Sequence, residues 1–249
     1  MKMIKLFNSR NKVAVLTSAV ALTAIVCVTA CKKDSTTANA AVTEADAVEL
    51  TTDAITPSTA GFDAQMQTSV TIYSAASVKM SCGSSKDTTI SYSSPTTITP
   101  NYAYKLAWHY QMDCSGIVPS DFAFTLSGTS SYNGALMQSS DNTTGSLTLS
   151  GLTASSSNYI LNASYERSGK QTSFVAAQKS FTSDLKFTST NIQVSKTTNE
   201  IVSGTASITI TGTSSTGGNF TFSGTVTFLG NKKATLVLNS GTSYNIQWN

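Results

Sequence analysis

Apolar residues alternate with serine and threonine over most of residues 69–248, and alternation at period two marks a half-buried strand. Serine and threonine supply 73 of the 219 residues from Cys31 onward, yet the whole chain holds only four prolines. That scarcity separates the composition from a disordered or mucin-like stalk. Together these observations predict a mainly β protein built on a large antiparallel meander. The meander forms either a sandwich or an open, curved, half-barrel-like sheet, with one short N-terminal helix.

Taken in order, residues 43–55 (TEADAVELTTDAI) predict that helix. Thr43 stands three residues before Asp46 as a cap, Ala47, Leu50 and Ala54 share one face, and Pro57 and Gly61 mark the end. Strands are expected at 69–80, 88–94, 102–112, 121–128, 146–152 and 158–166, with Arg167-Ser168-Gly169-Lys170 as a hairpin turn and further strands at 172–178, 185–194 and 201–203. The aromatics Tyr102, Tyr104, Trp108 and Tyr110 share one parity, which favours a core face over a sugar-stacking platform. The last part is the most regular. Ala206, Ile208, Ile210, Phe220, Phe222, Val226, Phe228, Ala234, Leu236, Leu238, Tyr244, Ile246 and Trp248 are all even-numbered. The breaks between them carry Gly217-Gly218, Gly230-Asn231 and Ser240-Gly241. This reads as a four-stranded meander with one apolar and one hydroxyl face. The apolar face needs a cover, from a second sheet, the 43–55 helix or a hydrophobic ligand.

The N-terminus gives an address. Lys2, Lys5, Arg10 and Lys12 precede an apolar run from Val13 to Ala30, the layout of a secretory signal. Val28-Thr29-Ala30-Cys31 resembles the lipobox of bacterial lipoproteins. That resemblance implies cleavage before Cys31, lipidation of its thiol and acylation of the new N-terminus, so the acyl chains make the membrane a partner, each buried CH₂ contributing about 0.8 kcal/mol. Cys27, preceded by the bulky Val26, and an uncut anchor are the alternatives. Three regions follow: residues 1–30 as signal peptide, 31–42 as a lipidated flexible tether, and 43–249 as a single β-rich domain. Lysines after the cysteine, together with the tether, the Ala-rich helix, the Cys pair and the closing meander, make the chain similar to Bacteroidota-type lipoproteins. That similarity implies the cell envelope, with the outer membrane as the expected location. In the same bacteria Asp34-Ser35-Thr36 and Asp87-Thr88-Thr89 look like short glycosylation acceptors.

Losing residues 1–30 removes four of the sixteen basic residues and none of the thirteen acidic ones. Twelve against thirteen leaves a balance of −1, which offers no electrostatic footprint for nucleic acid. Cys82 and Cys114 form an even pair in an exported chain and read as a disulfide, with metal binding as the competitor. Closing a loop of about 30 residues contributes roughly 3–4 kcal/mol in the chain-entropy picture.

The chemistry is sparse. His109 is the only histidine. Asp113, four residues on, would lie about 13 Å away along a strand, so His109 reads as a satisfied sheet histidine. HExxH, EF-hand, Walker A, dinucleotide-glycine and GxSxG patterns are absent. No catalytic residue, metal ligand or cofactor is assigned. The leading expectation is a non-catalytic, membrane-anchored envelope lipoprotein with a structural or surface-binding role toward a glycan or another envelope protein. The alternative is a carrier of lipid or another hydrophobic molecule, with Ile208, Ile210, Phe220, Phe222, Phe228, Leu236, Ile246 and Trp248 facing the ligand. A hydrolase with dispersed carboxylates ranks last.

Overall fold

In the computed structural model, which describes residues 41–248, two helices lie against one face of a ten-stranded sheet. Helix α1 is Glu44–Ile55, a 3-10 turn follows at Pro57–Thr59, and α2 is Phe62–Ala76. The strands are β1 (Ser85–Ser93), β2 (Asn101–Ser115), β3 (Val118–Asn133), β4 (Met137–Ser150), β5 (Asn158–Ser173), β6 (Lys179–Ser195), β7 (Ile201–Ser214), β8 (Asn219–Gly230), β9 (Lys233–Leu238) and β10 (Ser243–Gln247). Each pairs antiparallel with its neighbours in chain order, and β1 does not meet β10, so the meander stays open. All ten strands belong to this one sheet, which resolves the alternative of a sandwich. No helix among the described residues is long and apolar enough to cross a membrane.

Residues 69–80, expected to be a strand, belong mostly to α2. The β-branched cluster Val70-Thr71-Ile72 points to a strand, but the apolar spacing is helical. Phe62, Met66 and Val70 recur every fourth residue and are fully buried. Hydroxyls that would favour a strand instead bond back four residues: Thr68 Oγ1 donates to the Ala64 carbonyl, Thr71 Oγ1 to Gln67 and Ser74 Oγ to Val70. The described residues therefore hold two α-helices, not one. Gly61 joins them where a Cβ would strike the Ala54 and Thr56 carbonyls, so no larger residue fits.

Arg167–Lys170, expected to be a turn, runs straight through the middle of β5. Gly169 faces Asp141 across the β4–β5 register. A Cβ at Gly169 would collide with the Ser140 carbonyl and the Asp141 carboxylate. The glycine makes room for a buried charge, not for a bend. Treating it as strand lengthens β5 to 16 residues, and β6, with 17, begins at Lys179.

The sheet curls around the helices. The first turn of α2 alone reaches β5, β6 and β8 and the chain just after β10. The Phe62 ring lies 6.2 Å from Tyr165, 4.5 Å from Phe187 and 6.5 Å from Phe228, and Trp248 Nε1 donates to Asp63 at 3.0 Å. Strands β5 to β10 laid flat would span about 24 Å, far beyond the reach of one helical turn. Inward parity is even on β2 and β3, odd through β4 and β5 and most of β6, even at Ile192 and Val194, odd at Ile201, and even again from Ala206. The second change falls at the irregular pairing around Asn191, which takes a left-handed φ of 61°.

Candidate functional site

Two surfaces with different chemistry result, and each sequence-predicted residue falls on one of them or outside the described residues. Cys31, the Val28-Thr29-Ala30 residues expected to form a lipobox with it, and Asp34-Ser35-Thr36 lie outside residues 41–248. Cys82 and Cys114 form a disulfide, with Cα atoms 5.6 Å apart, that ties the approach to edge strand β1 to the end of β2. Asp87-Thr88-Thr89 lies on β1, with Asp87 and Thr89 exposed and Thr88 half-buried opposite Trp108.

The apolar set is on the inner face. Ile208, Ile210, Phe228, Leu236, Ile246 and Trp248 are all buried, and Phe220 and Phe222 are half-buried against the same cluster. Trp108 is buried as well, while Tyr102, Tyr104 and Tyr110 are partly covered. The covering elements are the two helices.

Beneath α1 the inner face is polar. Asp46 accepts hydrogen bonds from Lys179 Nζ at 2.7 Å, from Ser173 Oγ, and from the backbone N–H and hydroxyl of Thr43 at 2.7 Å each. Burial pushes its carboxyl up, but Lys179, Ser173 and Thr43 outweigh that and hold it below the ordinary aspartate value. At the other end of α1, Arg167 donates to Asp141 Oδ2 from Nη2 at 2.7 Å and from Nε at 3.0 Å. Its Nη1 reaches the Asp53 carbonyl at 3.3 Å and the Thr59 carbonyl at 3.4 Å. A cation at the carbonyl end of a helix also suits its dipole. Gln171 Nε2 donates to Asp141 Oδ1 at 2.8 Å, and its own carbonyl oxygen accepts from Ser183 Oγ at 2.9 Å. Asp53 Oδ2 and Tyr132 Oη are buried with no hydrogen-bond partner among the described residues. Burial, reinforced by the nearby charge of Glu49, pushes the Asp53 carboxyl up to about 8. Sequence reasoning missed this network. Its signal was parity, because Asp141, Arg167, Gln171 and Lys179 all carry the odd numbers of their inward neighbours Leu147, Tyr165 and Phe181.

The outer face carries the hydroxyls, and two recesses on it are furrows between side-chain rows. The larger, about 670 Å³, crosses β4, β5, β6 and the end of β7. Its walls are the outward side chains Gln138, Thr172 and Ser180 on one row and Ser140, Lys170, Thr182 and Thr213 on the next. The smaller, about 420 Å³, is lined by Asp87, Thr89, His109, Thr125 and Ser127. There His109 Nδ1 meets Asp87 Oδ1 at 2.8 Å across the β1–β2 register. Asp113 is engaged elsewhere, by Gln111 Nε2 at 2.7 Å. The His109 and Asp87 side chains are 48% and 83% exposed, whereas a Ser-His-Asp relay works with a buried, hydrogen-bonded carboxylate. The pair is a surface contact.

Compared with protein-family models, curated proteins and solved structures, the chain matches none of them.

Proposed function

We propose that this chain is a non-catalytic lipoprotein of the cell envelope, anchored by acyl chains on Cys31, that works through its hydroxyl-bearing outer face in binding a polar partner. The observation that carries this reading is the contrast between the faces. The apolar residues that could hold a lipid are packed against the chain's own α1 and α2, while the larger outer recess is walled by hydroxyl, amide and ammonium groups. The carrier reading would require both helices to lift off a core that includes Phe62, Met66 and Val70. Such a displacement exposes several large side chains, each favouring burial by about 1.5–3 kcal/mol.

The anchor is tested by expressing the full chain and its Cys31→Ala variant in a bacterium that processes lipoproteins, fed a labelled fatty acid. The wild-type chain is expected to take up label and sediment with the envelope, and Cys31→Ala to do neither. Equal labelling of both would remove the anchor from the proposal.

A further inference from the structure

We infer that the furrow across β4–β7 binds a linear acidic carbohydrate, with Lys170 meeting a carboxylate of the chain; this rests on the surface-binding reading above. The furrow runs across the strands between two parallel rows of side chains. Spanning four strands, it is about 14 Å long, with chemically similar groups repeating roughly every 4.8 Å. A repeating polar chain matches such a track, whereas a compact ligand would use only part of it.

The lining selects the ligand class. Gln138, Ser140, Lys170, Thr172, Ser180 and Thr182 supply hydroxyls, an amide and one ammonium group. No carboxylate lines the furrow and Lys170 forms no ion pair among the described residues, so its charge is available. Lys186, on the same face, is already opposed by Glu166 at 3.6 Å. Thr172 and Ser180 hydroxyls face each other at 3.3 Å, and the Thr213 hydroxyl donates to Asn219 at 2.9 Å. An acidic peptide fits this surface less well. Peptide grooves draw most of their affinity from aromatic or aliphatic anchors in pockets, and the two aromatic residues of this lining, Tyr132 and Phe181, are buried toward the inner face.

The furrow is also held rigid from behind. Its wall residues Ser140 and Lys170 alternate along β4 and β5 with Ser139, Asp141 and Gln171, which are locked together on the inner face. A site whose supporting residues are fixed before binding loses less entropy on closing around its ligand.

The experiment is calorimetric titration of the full chain, purified in detergent, with oligogalacturonate and with neutral malto-oligosaccharide as control, repeated for Lys170→Gln and Lys186→Gln. Both substitutions remove one positive charge from the same face, but only Lys170 lines the furrow. The expected result is binding of oligogalacturonate that weakens with added salt, about tenfold loss in Lys170→Gln, and no change in Lys186→Gln. Equal loss in both variants would mean nonspecific charge attraction and would overturn the inference. Binding of the neutral sugar with no effect of Lys170→Gln would also overturn it, while leaving the surface-binding reading standing. No binding of either sugar overturns the inference. If the purified chain then also carries a lipid that extracts into organic solvent, the surface-binding reading falls with it.

Discussion

Helices α1 and α2 reach the same sheet by opposite means. Helix α2 sits on rings: Phe62 against Phe187, Tyr165 and Phe228, and Tyr73 edge-on to Phe122 and Tyr159 at 5.5 and 5.6 Å. Helix α1 buries Leu50, Ala54 and Ile55, but both of its ends are held by ion pairs, Asp46 with Lys179 and the Arg167–Asp141 pair that reaches its last carbonyls. Apolar burial is favourable in any orientation. Buried ion pairs add little net stability over an apolar substitute, but they penalise every arrangement that leaves a charge alone. The difference teaches a division of labour in which α2 supplies cohesion and α1 is fixed in register.

The largest effect is expected from the ring seat. Phe62→Ala should cost about 3–5 kcal/mol, as emptied aromatic sites do, read as a lowered midpoint in urea unfolding. A loss below about 1 kcal/mol would mean that α2 is not the cohesive element.

The ionic seat should behave asymmetrically. Arg167→Met leaves Asp141 buried without its cation and should cost about 3 kcal/mol. Replacing both partners, Arg167→Met with Asp141→Leu, should recover most of that loss. If the double variant is as unstable as the single one, the pair contributes cohesion after all and the contrast with α2 disappears.

A third test uses pH. Asp53 binds its proton more tightly in the folded chain than in the unfolded one, so the folded state keeps a proton that the unfolded state releases above about pH 4. Stability from this group is therefore fully present below the unfolded value and is lost as pH rises toward about 8. The raised carboxyls of Glu49 and Asp63, both shifted up by burial, act in the same direction. The melting temperature should fall between pH 5 and pH 8.5, and Asp53→Asn should flatten that slope. An unchanged slope in the variant would assign the dependence to the other two groups.

The smallest effect belongs to the exposed outer face. Asp87→Asn removes the partner of His109 and should change stability by less than about 1 kcal/mol, since exposed pairs are screened by solvent. A larger loss in urea unfolding would make this pair structural.

The same contrast explains what could be read from the sequence. The C-terminal meander was legible to the residue because its parity never changes from Ala206 to Trp248 and glycine-containing turns separate its strands. The Cys82–Cys114 pair was legible because the other two cysteines, Cys27 and Cys31, both fall in the apolar N-terminal segment and leave these two as an even pair. Helix α2 was not, because β-branched residues and hydroxyls at 68–74 mimic a strand and mask the every-fourth-residue spacing of Phe62, Met66 and Val70 that Phe187 and Phe228 seat. The charges under α1 hid for a related reason, since Gly169 beside Arg167 has the chemistry of a turn until Asp141 is brought opposite it. The furrow had no signal of its own. Its Ser and Thr residues look like every other hydroxyl of this chain, and what sets them apart is the strand register that lines them up in two rows across β4 to β7.

The central claim is that the inner face is sealed by the protein's own helices and the outer face is left to act. Native mass spectrometry of residues 32–249, secreted to the periplasm without Cys31, tests it most directly. The account predicts a clean mass of the polypeptide alone. A lipid-sized adduct that departs on unfolding would contradict it, because the ligand would then occupy the face assigned here to α1 and α2.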